Sequence, residues 1–131
     1  MRTVAEAVLK GERIAAAKIS LAFVDDATSA RVNRQFLDHE GPTDVITFPL
    51  GLKPLQGELV IGAEVAIQVA AERGHDVQHE LALYVIHGIL HLCGYDDKKP
   101  GPLHLMRQSE AHYLKLLGLP AISEPCPPKK P

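Results

Sequence analysis

The stretch VQHELALYVIHGILHLC, residues 77–93, is apolar on nearly every side of a 3.6-residue period. A helix with that pattern has no solvent face of its own, so it must lie buried among other elements. Asp76 is placed to cap its start, and Gly94 to end it. The chain must therefore supply a sheet and further helices to wrap this one. With 131 residues, 46% of them hydrophobic and 23% charged, it is long enough to do so as one domain.

The flanking segments give those elements. TVAEAVLKGE spaces Val4, Ala5, Val8 and Leu9 as a helix, and KISLAFVDD reads as a buried strand. Asp25 or Asp26 caps a helix through ATSARVNRQFL, whose expected apolar side carries Ala27, Ala30, Val32, Phe36 and Leu37. DVITFPL is a second strand, with Pro49 ending it or marking a sheet edge. GLKPLQG is expected as a loop returning to a third strand, ELVIG. AEVAIQVAAERG is a helix stopped by Gly74, and Pro102 opens a last helix through LHLMRQSEAHYLKLLG. The second and third strands can pair antiparallel, and a helical crossover from the first to the second permits parallel pairing there. The fold class is α+β: a small mixed sheet packed with helices around a central buried helix. Residues 1–119 are expected as the domain and 120–131, which are rich in proline, as a tail.

Charge and cysteine content narrow the setting. The formal net charge is −2, so bulk charge gives no support to a nucleic-acid partner, which would need a local basic patch. Cys93 and Cys126 make no disulfide framework, and Cys93 falls in the apolar run. The N-terminus carries Glu6, Lys10, Glu12 and Arg13 where a signal peptide needs an apolar core. No run is long enough to span a membrane. A cytoplasmic protein is expected.

The central helix carries an unusual load. His87 and His91 lie four residues apart, on one face, at the separation that lets two imidazoles grip one ion. A lone histidine there would ordinarily be a satisfied polar residue. The pair, followed at once by Asp96 and Asp97, favours a metal. Two imidazoles and one carboxylate leave a coordination position for water. Gly88 costs helix stability, so it admits either a close backbone approach or a ligand. It also stands where a metalloprotease of the HExxH type has its glutamate, which argues against that chemistry.

The run HGILHLCGYDD resembles the signature of the YbeY family of bacterial rRNA maturation factors, His-Gly-x-Leu-His-Leu-x-Gly-Tyr-Asp-His, and departs from it only at the last residue. VNRQFL, PTDVITFP, QGELVIG and MRQSEAHYLKLLG resemble further family segments in the same order. The resemblance implies a zinc-dependent, single-strand-specific endoribonuclease that takes part in maturing the 3′ end of small-subunit (16S) rRNA and in ribosome quality control. It implies one Zn²⁺ per chain, held by His87, His91 and Asp97, with Asp96 orienting the turn. Its implied partners are single-stranded RNA, the small ribosomal subunit and its assembly factors. Asp97 stands where the family usually has histidine, and its charge would make the ion a weaker Lewis acid than three imidazoles would. Leu37 stands where most members carry an arginine used in RNA cleavage, with Arg34 one helical turn earlier. Arg34, Lys98, Lys99 and His75 are the candidate phosphate-neutralising cations, each also readable as solvated surface.

Other polar residues read as structural. His39 falls in a loop, and His104 and His112 on the surface of the last helix, with His104 near enough in sequence to be a spare ligand. Asn33 and Thr43 read as a helix position and a turn cap, Tyr95 as a core residue, and Glu58 as the start of a strand beside the groove. Family members usually begin with a strand before the first helix, so this sheet is expected one strand short unless the chain starts upstream. Two rivals to the nuclease stand beside it: a non-catalytic, zinc-stabilised ribosome assembly factor, favoured by Leu37, and a metal hydrolase of another substrate.

Overall fold

The computed structural model describes residues 1–120; the expected tail from residue 121 on, with Cys126, lies outside them. Eight elements follow one another: α1 (Arg2–Gly11), β1 (Ala17–Val24), α2 (Asp26–Leu37), β2 (Val45–Leu52), β3 (Leu55–Gly62), α3 (Ala63–Arg73), α4 (Val77–Leu92) and α5 (Pro100–Leu116). This is the α+β architecture and element order expected from the pattern.

The sheet order is β1-β3-β2, with β1 parallel and β2 antiparallel to β3. The expected direct pairing of the first strand with the second is thus replaced by insertion of β3 between them. The reason lies in β3 itself. Leu59, Val60 and Ile61 are all buried, so this strand has two apolar faces and needs a cover on each side and a neighbour on each edge. Pro49 fits an edge strand, where β2 shifts register between Pro49 and Gly51. The expected seven-residue loop shrinks to the Lys53–Pro54 turn, because Gly51 and Leu52 still pair with Gln56 and Leu55.

Alternation decides what faces α4. Leu55, Leu59 and Ile61 join its core, together with Leu83, Tyr84, Ile86, Ile89 and Leu90 of the helix. α4 is buried at nearly every position from Ala82 to Leu92, as its pattern requires. Gly88 is where helix and sheet touch most closely: a Cβ there would come within 2.8 Å of the Leu59 methyls. The glycine therefore admits the sheet, and not a ligand.

Two helices differ from expectation. The buried side of α2 is Ser29 and Asn33, whereas Phe36 and Leu37 are 58% and 46% exposed. Ser29 Oγ accepts from Thr43 N–H at 3.0 Å, and Asn33 Nδ2 donates to the Gly41 carbonyl at 2.9 Å. These polar side chains tie the loop before β2 to the helix, and that tie outweighs the weak apolar phase. α5 starts at Pro100, with Lys99 as its N-cap, two residues before the expected opening. Asp25 and Asp76 do cap α2 and α4, accepting from Thr28 and Gln78 N–H at 2.8 Å each.

Candidate metal centre

The site forms where α4 runs out. His87 and His91 project from successive turns with ring centroids 4.7 Å apart. The helix closes at Cys93, whose N–H donates to the carbonyls of Ile89 and Leu90. Gly94 then adopts φ 102°, a left-handed conformation that a side chain would strain, and the chain doubles back. Tyr95 N–H donates to the Leu90 carbonyl at 3.0 Å while its ring packs against the core. Asp96 accepts from Lys98 N–H at 3.0 Å, which shapes the turn. Asp97 is thereby placed over both histidines.

The distances suit an ion. Asp97 Oδ2 lies 3.3 Å from His87 Nε2 and 3.4 Å from His91 Nε2. Both are longer than the roughly 2.7–2.9 Å of a direct charged hydrogen bond. They match the edge of a tetrahedron: ligands about 2.0–2.1 Å from a small cation sit about 3.3–3.4 Å apart. One ligand atom from each of His87, His91 and Asp97 falls within 4.8 Å of the others, the one such group among the described residues. These three residues fit a divalent metal ion.

The ring of His87 is held from behind. Its Nδ1 lies 2.5 Å from Glu110 Oε2, and both side chains are buried. Arg107 Nη1 donates to the two oxygens of Glu110 at 2.8 and 3.1 Å. Burial disfavours the charged form of His87, but contacts with Asp97 and Glu110 and the charges of Glu110 and Asp44 outweigh it and raise its pKa to about 9. The contact with His87 holds Asp97 well below the usual carboxylate range, against the effect of burial. Asp44 moves the other way: burial raises it, opposed by the hydrogen bond from Val45 N–H. Burial, aided by Glu12, pushes the Cys93 thiol up to about 11, and its sulfur lies outside the group formed by His87, His91 and Asp97.

The remaining candidate residues fall as follows. Arg34 is exposed on α2 and lines an open groove with Arg31, Gln35, Asp38, Glu40 and Gly41. Lys98 and Lys99 are exposed directly after Asp97. His75 does not belong to this set: its Nε2 faces the buried carboxylate of Glu80 near the start of α4, about 10 Å of helix rise from His87. Glu58 points to the sheet face opposite α4, since Gly57 and Leu59 on either side of it face that helix. His39, His104 and His112 are exposed, as expected of surface positions. Glu110, Arg107 and Asp44 were not singled out from the sequence. A signal for Glu110 did exist: it falls in the buried phase of α5 with Met106, Tyr113 and Leu114. A carboxylate at an apolar position calls for a buried partner.

Comparison with known proteins agrees with this geometry. The family model described as Endoribonuclease YbeY matches residues 1–118. A protein of Rhodopirellula baltica named Endoribonuclease YbeY is 45% identical over 105 residues, covering 77% of this chain and 54% of that protein. One of the same name from Pelotomaculum thermopropionicum is 41% identical, covering 88% and 82%. The chain thus spans about half the length of the first relative and most of the second. The solution structure of a Thermotoga maritima protein superposes with a TM-score of 0.63 at 27% identity, covering 98% of this chain and 89% of that one. A match along nearly all of the described residues, together with the paired histidines and the acidic turn, places this chain in the YbeY family.

Proposed function

We propose that this protein is a zinc-dependent endoribonuclease acting on single-stranded RNA, with the 3′ end of small-subunit rRNA as its substrate and the small ribosomal subunit as its setting. The observation that carries the reading is that Asp97 Oδ2 lies 3.3 and 3.4 Å from Nε2 of His87 and of His91, in a chain whose relatives are named endoribonucleases. His87, His91 and Asp97 are the metal ligands, one ion per chain, and Asp96 sets the turn that presents Asp97. Bound there, zinc would supply Lewis acidity toward a phosphodiester and an activated water.

The chain's own residues supply the rest. Glu110, Asp97 and Asp44 surround His87 with negative charge, which opposes a polyanion. Substrate binding therefore needs cations on the rim. Lys98 and Lys99 beside the ligand turn, and Arg34 with Arg31 in the α2 groove, are placed to meet phosphates. The 38–44 loop links that groove to Asp44, whose charge acts on His87. Among the described residues no helix is long and apolar enough to cross a membrane, which fits a cytoplasmic setting.

One observation favours a second reading. Leu37, where most of the family would have arginine, is half exposed on α2 and brings no charge to the groove. A zinc-stabilised assembly factor that binds the subunit without cutting RNA would tolerate it. The two readings separate when zinc-loaded protein is incubated with single-stranded RNA beside chelator-treated and His87→Ala controls. Cleavage lost in both controls supports the nuclease. No cleavage, with co-sedimentation on small ribosomal subunits, supports the assembly factor.

A further inference from the structure

Glu110 reaches the site from α5, 23 residues along the chain from His87, and its carboxylate is almost fully buried. Burying a carboxylate is costly unless it is paired and its oxygens are satisfied. Here both conditions hold. Oε2 meets His87 Nδ1, and Arg107 from the preceding turn holds both oxygens. Arg107 thus fixes the direction of the carboxylate, and the carboxylate fixes the ring. A carboxylate can only accept, so it demands a proton on Nδ1. Neutral imidazole then has its lone pair on Nε2, the atom that lies 3.3 Å from Asp97. His91 sits nearer the rim, with 28% of its side chain exposed against 8% for His87.

We propose that Glu110, braced by Arg107, is a positioning residue for the metal: it keeps the proton of His87 on Nδ1 and fixes the rotation of the ring, so that Nε2 is the nitrogen turned toward His91 and Asp97. The inference rests on the metal-site reading above. It makes His87 the preset ligand and His91 and Asp97 the ligands that complete the shell. It also explains why a glutamate occupies an apolar position of α5, where a leucine would pack as well but would leave Nδ1 buried and unpaired.

The test compares zinc affinity, by competition with a chromophoric chelator, in the full-length wild type, Glu110→Gln, Arg107→Met and Glu80→Gln. Glutamine keeps the shape of Glu110 but can present an amide N–H₂ to Nδ1, which selects the wrong tautomer. Glu80→Gln alters another buried carboxylate paired with a histidine, at the far end of α4, and controls for general loosening. Circular dichroism checks that each variant is folded. The expected result is zinc binding weakened about 10- to 100-fold in Glu110→Gln, less in Arg107→Met, and unchanged in Glu80→Gln. Wild-type affinity in folded Glu110→Gln, or equal weakening in Glu80→Gln, overturns the proposal while leaving the metal site standing. A wild type that binds no zinc overturns the site and the proposal together. Arg107→Met serves as the second route should Glu110→Gln not fold.

Discussion

Gly88 lies against Leu59 so closely that α4 and β3 meet there almost backbone to side chain, between the two histidines of the site. This contact sets the height of α4 over the sheet, and with it the position of His87 and His91. A methyl group at residue 88 would meet both Leu59 methyls at 2.8 Å. Gly88→Ala is expected to lose stability. Overpacking costs about 1–3 kcal/mol and the gain in helix propensity returns only about 1. Urea unfolding of the metal-free protein measures it; a variant as stable as wild type or more so would mean that Leu59 yields freely.

His91→Ala is expected to release zinc. Two ligands remain, and the missing imidazole leaves a cavity at the rim that water fills. Elemental analysis after long dialysis should fall from about one zinc per chain to near none. Full retention would remove His91 from the ligand set.

The raised pKa of His87, about 9 against an ordinary 6.5, has opposite consequences for the empty and the loaded protein. The folded state holds the proton more tightly than the unfolded chain. The stabilisation is thus fully present below pH 6.5 and lost as pH rises through 9, at up to about 1.4 kcal/mol per pH unit. Zinc must displace the same proton, so its affinity should rise by up to about tenfold per unit over that window. Asp97, with its lowered pKa, adds stability that is present above the ordinary carboxylate range and lost as pH falls through its folded value. Urea unfolding in chelator and zinc titrations across pH 6.5–9.5 would check both slopes; parallel rather than opposed trends would contradict the assignment.

Leu37→Arg is expected to be tolerated, because the side chain is 46% exposed; its effect on stability should stay within about 0.5 kcal/mol. If RNA runs along α2, the new cation should tighten RNA binding and steepen the log–log salt dependence by about 0.7 per phosphate engaged. An unchanged salt slope would place the RNA elsewhere.

Asp97→His should keep about one zinc per chain while replacing an anionic ligand with a neutral one. The ion becomes a stronger Lewis acid, so RNA cleavage should reach its plateau at lower pH than in wild type. A pH–rate profile shifted upward would argue against a metal-activated water.

The grouping of His87 and His91 with the acidic turn at Asp97, the caps at Asp25 and Asp76, the glycine stops at Gly74 and Gly94 and the burial of α4 were legible in the sequence. Each depends on neighbours within one or two helical turns, where spacing alone places side chains on a face or ends an element. The tertiary structure decided what depends on distant partners. It put β3 at the centre of the sheet, because a strand with two apolar faces outcompetes the order of synthesis. It turned Ser29 and Asn33 inward instead of Phe36 and Leu37, because two hydrogen bonds to a loop outweighed a diffuse apolar phase. It brought Glu110 to His87 and left His75 with Glu80, at opposite ends of one helix. Which buried carboxylate meets which imidazole is settled only when helices pack, since the energy that pairs them exists only once both are out of water.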